Sequence, residues 1–436
     1  MTVDAAALLT PDGLVHRGHS VCSEDCLNTG QIGRYGDAHV GSTDLPRCVL
    51  NVLLSVLGAG QLTLPYAMHK LGGLWWGVLS LVVFTALSMH SLKTLSYYEL
   101  YYTPQGCLES YSELVIRVLG GSFSLLCQFL LIFYAWGGAV AFLVILKAEF
   151  LAFFPSCGRA VLCGIACFLW CLSSCEDLTF LKKFSWLGCV VAVLITLVTV
   201  FVSPPDVTEQ SLQQFFSSSH EPSLLDVAAS LPLISFSLNS SWAYIPVLCT
   251  LSDKSRTSSL ILWSNVLILL NYLTLAISGY CRFGKDVKPN IMDSLGSDYA
   301  DSWMVRGAKI ALCVQLTLAL PLRFFVARKT IQDGCPSLAK SRASLAFALV
   351  LAATLAALPD VSLATVLGIV SGICASMIIY ILPAIIDLRH RRTITPSGLR
   401  GTDLASLFLS LVSLIVGILI LLGSLWANAM GVAVGS

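Results

Sequence analysis

The sequence predicts an all-α membrane protein of eleven transmembrane helices: two five-helix halves of opposite orientation, each opening on a broken helix, plus one extra helix. Three observations predict it. The 436 residues are 56% hydrophobic and 12% charged, with a mean hydropathy of +0.80, far too apolar for a soluble domain of that length. Apolar runs of about 20 residues, enough to cross a bilayer as a helix, centre near Leu57, Val83, Tyr134, Cys167, Leu194, Leu238, Leu270, Val314, Val350, Ser371 and Ile415. The first and sixth of these runs carry residues that spoil helical hydrogen bonding. No segment alternates with the period of two that a membrane barrel requires.

Taken in order, residues 1–45 are polar, with Asp4, Asp12, Glu24, Asp25, Asp37 and Asp44 and little to bury; they read as a disordered cytoplasmic tail. They lack a basic stretch followed by an apolar core, which argues against a cleaved signal peptide and leaves the first span to direct insertion. That span runs from about Arg47 to His69 and is interrupted by Gly58-Ala59-Gly60-Gln61 and Pro65. With spans two to five it makes a first half of about 46–203. The sixth span runs from about Leu224 to Leu251, with Asn239-Ser240-Ser241 between two apolar stretches and Pro232 and Pro246 on either side. It opens a second half of about 224–387, and the eleventh helix, about 403–427, precedes a short tail, 428–436. The transporter domain so defined is 46–427. An odd number of spans per half makes the second half enter the membrane inverted, and paired breaks in corresponding helices of such repeats are where secondary transporters hold substrate. Unwound backbone at that depth requires a cavity or a ligand.

Charge and absences narrow the function. Eighteen Lys and Arg near span ends, Arg323, Arg328 and Lys329 among them, fall on the N-terminal side and six on the other, which places the N-terminus in the cytoplasm and the C-terminus on the far face. A net charge of +1 argues against a nucleic-acid partner. No Gly-x-x-x-x-Gly-Lys-Ser/Thr segment cradles a nucleotide, and no His/Asp/Glu cluster is visible inside the spans, so an enzyme is not expected, nor a metal or organic cofactor. Trp75, Trp76, Trp186 and Trp303 near span starts read as interfacial anchors. Cys163, Cys167, Cys171 and Cys175 recur every four residues, a stripe of small packing residues, while Cys157 and Cys281 on the far side are candidates for a disulfide. Lys309 and Arg306 share a face at the start of span eight and read as interface charges or a gate pair.

Five motifs in order give a resemblance. Leu57-Gly-Ala-Gly-Gln-Leu-Thr-Leu-Pro-Tyr-Ala-Met68, Tyr111-Ser-Glu-Leu-Val-Ile-Arg-Val-Leu-Gly120, Phe283-Gly284, Ala319-Leu-Pro-Leu-Arg-Phe-Phe-Val-Ala-Arg-Lys-Thr330 and Ile381-Leu-Pro383 resemble the amino-acid/auxin permease family, in its branch of neutral amino-acid transporters, sodium- or proton-coupled. The resemblance covers about residues 47–427. It implies a LeuT-like fold with alternating access around a site between broken helices one and six.

The chemistry of an amino-acid zwitterion suits those breaks. Backbone N–H groups of Gly58, Ala59 and Gly60 would take the carboxylate, and carbonyls around Ser235, Phe236 and Asn239 the ammonium. Asn239, Ser240 and Ser241 would line the site, and Tyr134, Trp136 and Trp242 could close over the substrate's side chain or simply pack helices. For the coupling ion, sodium-coupled members resemble one another in an Asn that is Leu54 here and in two Thr that are Thr317 and Ala319 here; Ser55 and the Thr317 hydroxyl remain as cation ligands. Sodium and proton both stay open, with no titratable side chain placed at mid-membrane. The absence of a charged residue near the break argues for a neutral substrate. The expectation is a secondary active transporter of amino acids, with an amino acid, a coupling cation and the bilayer as its partners. A monomer fits, in either a plasma or a vacuolar/lysosomal membrane. The alternatives are an amino-acid sensor binding at the same site and, further off, an ion channel.

Overall fold

The structure, a computed structural model, describes residues 41–103, 108, 110–153, 158–175, 186–202, 221–334, 341–394 and 401–431. The predicted N-terminal tail up to residue 40 and Cys157 lie outside them. Apart from one parallel bridge between Thr43 and Leu251, the described residues form helices and their connections.

The first predicted span is α1 (Leu45–Val56), a 3-10 turn (Ala59–Thr63) and α2 (Leu64–Lys70), bent by 53° at the break. Pro46 sits in the first turn of α1, where no backbone N–H is needed. The first half continues with α3 (Leu74–Tyr102), α4 (Tyr111–Leu119), α5 (Gly121–Phe153), α6 (Gly158–Ser173) and α7 (Trp186–Val202). The sixth predicted span is split into α8 (Leu224–Ser237) and α9 (Ser241–Thr250). Then come α10 (Thr257–Phe283), the short α11 (Ile291–Asp298), α12 (Trp303–Gly334) and α13 (Arg342–Ala357). Next, α14 (Leu363–Val370) runs through a π-helical stretch, Ser371–Ile381, into α15 (Leu382–Ile394), and α16 (Gly401–Ala429) closes the chain. Among the described residues, six helices or continuous helical units are long and apolar enough to cross a membrane, and the bent α1/α2 pair makes a seventh. Shorter apolar helices α6, α7 and α13 and the split α8/α9 stand where the remaining four spans are predicted.

Enclosure orders the helices. The apolar windows of α5 and of the α14–α15 unit are 72% and 78% buried, against 22% for α16, so the first two form the centre and α16 is the added helix at the edge. It is fastened by a polar cluster: Asp387 accepts from Tyr98 (2.7 Å) and Ser410 (2.6 Å) and takes both oxygens to Arg391 at 3.0 Å.

The two broken spans run antiparallel and are tied at both ends. At the α1 start, Thr43 N–H donates to Thr250 O at 3.0 Å and Ser252 N–H returns to Thr43 O at 3.1 Å. At the α2 end, Lys70 pairs with Asp226 at 3.0 Å.

Lys147 shows how a charge is kept in an apolar wall. It is 6% exposed, and its ammonium donates to Leu358 O (3.1 Å), Pro359 O (2.6 Å) and Asp360 (3.2 Å) just past the end of α13, where helix carbonyls are unsatisfied and the dipole favours a cation. Lys147→Met is expected to lower stability by about 1–3 kcal/mol, read as an earlier thermal unfolding midpoint in detergent.

Several local expectations change. Cys167, Cys171 and Cys175 are exposed, facing outward from the bundle where lipid rather than a neighbouring helix would cover them, so they are not a packing stripe. Cys281 carries a free thiol. Lys309 is no interface charge: it is paired at 2.9 Å with Glu149, which is fully buried, while Arg306 does lie at the surface, paired with Asp301 at 3.1 Å. Trp75, Trp76, Trp186 and Trp303 are exposed.

Candidate functional site

The breaks fall where the sequence places them. In the first, helix α1 ends at Val56, and Gly58 and the following 3-10 turn separate it from α2. The N–H groups of Gly58, Ala59 and Gly60 donate to no backbone carbonyl among the described residues, whereas Gln61 N–H already bonds Gly58 O at 3.3 Å. These are helix-start donors without acceptors, in a stretch where Ala59 and Gly60 are buried. In the second break, Leu238, Asn239 and Ser240 leave the helix, with Asn239 N–H held by Phe236 O at 3.3 Å and Ser240 N–H by Leu238 O at 2.9 Å.

The two breaks touch. A Cβ added at Gly60 would lie 3.0 Å from Phe236 Cδ1, from Ser237 Cα and from Ser237 Oγ, so only a residue without a side chain lets the first break approach the second this closely. The same is not true of Gly58, whose added Cβ meets nothing within 4 Å; it faces a narrow gap lined also by Gln61, by Ala192 and Ile195 of α7 and by Gln315 of α12. Gln61 spans that side, donating to Ala192 O at 3.2 Å and accepting from Asn271 at 3.0 Å.

Around the second break the polar atoms are buried and unspent. Among the described residues, both amide atoms of Asn239, the hydroxyls of Ser240 and Ser241 and the indole N–H of Trp242 have no hydrogen-bond partner. Buried polar groups are seldom left this way, and several at one helix break mark a place built for a guest. Tyr134 forms a wall of it, its ring centroid 5.3 Å from Phe236 and 6.3 Å from Trp242. Trp136 does not join them: its N–H donates to Leu349 O at 3.2 Å and it stacks on Phe133, packing α5 against α13.

The carbonyls expected to take an ammonium are partly spent. Phe236 O already accepts from Asn239 N–H, and Ser235 turns its hydroxyl back to Leu231 O at 3.1 Å. Tyr272 of α10, which the sequence did not single out, donates its hydroxyl to Ser237 O at 2.8 Å and Val56 O at 3.2 Å. These are the last carbonyls of α8 and α1, so one hydroxyl bolts together the ends of the two half-helices. The expected cation ligands are each engaged in their own helix: Ser55 donates to Val52 O at 2.7 Å and Thr317 to Cys313 O at 2.8 Å, which leaves their oxygen lone pairs available to a cation.

Charge is present after all. Arg323, counted with the cytoplasmic-end cations on sequence grounds, places its guanidinium carbon 4.3 Å from the centroid of Phe142 on α5. The contact is at Gly138, one residue past the midpoint of that 33-residue helix. Arg323 thereby brings a charge to Gly138, one helical turn along α5 from Tyr134, which walls the second break. Glu149, four residues before the end of α5, is also fully enclosed, near a helix end and not at mid-helix.

Comparison with known proteins agrees with this architecture. The profile of the family described as Transmembrane amino acid transporter protein matches residues 41–429. The chain is 25% identical over 376 residues to Amino acid transporter AVT3C of Arabidopsis thaliana, covering 78% of this chain and 81% of that one. It is 22% identical to Sodium-coupled neutral amino acid transporter 7 of Mus musculus, covering 68% of this chain and 66% of the relative. Among solved structures, MhsT in complex with L-phenylalanine superposes with a TM-score of 0.59 at 12% identity, covering 89% of this chain and all of that one. That likeness establishes the LeuT-like fold with its two broken helices.

Proposed function

The chain belongs to the family of transmembrane amino acid transporter proteins, and from that premise we propose that it carries amino acids across a membrane by alternating access around its two helix breaks, driven by a cation gradient. One observation carries the reading most: free N–H donors at Gly58, Ala59 and Gly60 stand against a second break whose Asn239, Ser240 and Ser241 side chains are buried and unpartnered. A zwitterion supplies what each side lacks, a carboxylate for the donors and an ammonium for the oxygens. Tyr134, Phe236 and Trp242 give the substrate's side chain an apolar enclosure.

Ser55 and Thr317 are the proposed cation ligands, with sodium or proton as the ion. Thr317→Ala is expected to raise the cation concentration needed for half-maximal uptake several-fold, and an unchanged cation dependence would remove Thr317 from the ion site. The excess of Lys and Arg on the N-terminal side supports an N-terminus in the cytoplasm and a C-terminus on the far face.

The test is uptake of a labelled amino-acid mixture into liposomes containing the purified protein, with an inward sodium or proton gradient in separate runs. Accumulation under one gradient alone names the coupling ion. Binding without accumulation under either gradient would instead favour an amino-acid sensor that uses the same site.

A further inference from the structure

Resting on the amino-acid reading, we propose that Arg323 recognises a carboxylate on the substrate's side chain, so that the amino acids carried are the acidic, dicarboxylic ones. The guanidinium lies at mid-helix depth on α5, over the Phe142 ring, in room left by Gly138: an added Cβ there would come within 2.2 Å of Nη1. Among the described residues the guanidinium makes no hydrogen bond and no ion pair. An arginine keeps its charge in any protein setting, and a bare charge near the middle of a membrane is costly and as a rule paired or turned to a cavity. The face of one phenylalanine offsets only part of that cost. A carboxylate is the partner whose planar geometry a guanidinium fork fits best.

The position of Arg323 says which carboxylate. The free N–H groups of the first break lie against Phe236, Phe236 packs on Tyr134, and Tyr134 stands one helical turn along α5 from Gly138, against which Arg323 rests. An α-carboxylate held by Gly58 to Gly60 therefore directs the substrate's side chain past the aromatic pair toward the arginine, and a terminal carboxylate completes the pair. Lys309 and Arg328 are placed differently: the first is already paired with Glu149, and the second donates to Cys175 O at 2.9 Å.

The experiment is equilibrium binding of labelled glutamate, aspartate, glutamine and asparagine to the purified full-length protein, alongside Arg323→Gln and Arg323→Lys. The expected result is that the wild-type protein binds at least one acid roughly 10- to 100-fold more tightly than its amide, that R323Q abolishes the preference while still binding the amide, and that R323K keeps part of it. Wild-type binding of amides as tight as of acids would overturn the proposal without touching the transport reading, and would do so even if the variants failed to fold. An acid preference that survives in R323Q would also overturn it. Failure of all four amino acids to bind would overturn the proposal, and uptake of the labelled amino-acid mixture then decides separately whether the transport reading stands.

Discussion

Gly60→Val is expected to insert normally and to take up no labelled amino acid above background. The reason is geometric: a Cβ at this position sits 3.0 Å from Ser237 Cα, and backbone cannot swing aside as a long side chain can. The branched side chain would force the two breaks apart, displace Phe236 from Tyr134 and cover the N–H donors of Ala59 and Gly60. Overpacking of this kind costs about 1–3 kcal/mol, too little to unfold a bundle this well enclosed but enough to open a site defined by contact between two unwound segments. Gly58 is the internal control. Its added Cβ meets nothing within 4 Å, so Gly58→Ala should retain uptake where Gly60→Ala loses most of it. Equal uptake by the two alanine variants would show that the close approach at Gly60 is not part of the site.

Tyr272→Phe should reduce uptake roughly tenfold or more and lower the unfolding temperature, although it deletes one oxygen atom. That hydroxyl shares its hydrogen between Ser237 O and Val56 O, a three-centre arrangement. Both carbonyls end half-helices and carry the partial negative charge of a helix C-terminus. Without the hydroxyl they are buried next to each other with no donor between them, at a cost of about 1–3 kcal/mol each, and they lose the link that keeps the two breaks in register. A phenylalanine fills the same volume, so packing is not the variable. Wild-type uptake and stability in this variant would mean that water or neighbouring N–H groups replace the hydroxyl, and the bolt would have no role in assembling the site.

The breaks were legible in the sequence because their signal is local. Glycine, proline, asparagine and serine inside an apolar run weaken helical hydrogen bonding wherever they stand, and Gly58 and Asn239-Ser240 mark the observed interruptions to within a residue. Orientation of side chains across helices is not local, and there the reading fails. Arg323 stands five residues before Arg328 and Lys329 and was grouped with them. Its side chain instead packs against a glycine on α5. Tyr272 reads as one more apolar residue of span seven until its hydroxyl is seen between two carbonyls from distant parts of the chain. Glu149 stands near a span end in sequence, yet α5 is flanked there by Lys309 and buries it completely. Each of these polar groups depends on a partner more than a hundred residues away.

The ties at the two ends of the broken pair differ in kind. One consists of backbone hydrogen bonds through Thr43, the other of an ammonium and a carboxylate, Lys70 and Asp226, each about a quarter exposed. Two rods pinned at both tips form a closed frame, and neither face can part until its own pin is released. Ionic strength screens a partly exposed ion pair but leaves a peptide hydrogen bond largely indifferent. The frame is therefore biased from one side only: salt in the medium bathing the Lys70 end shortens the dwell time of that clasp, while the clasp at Thr43 keeps its own clock.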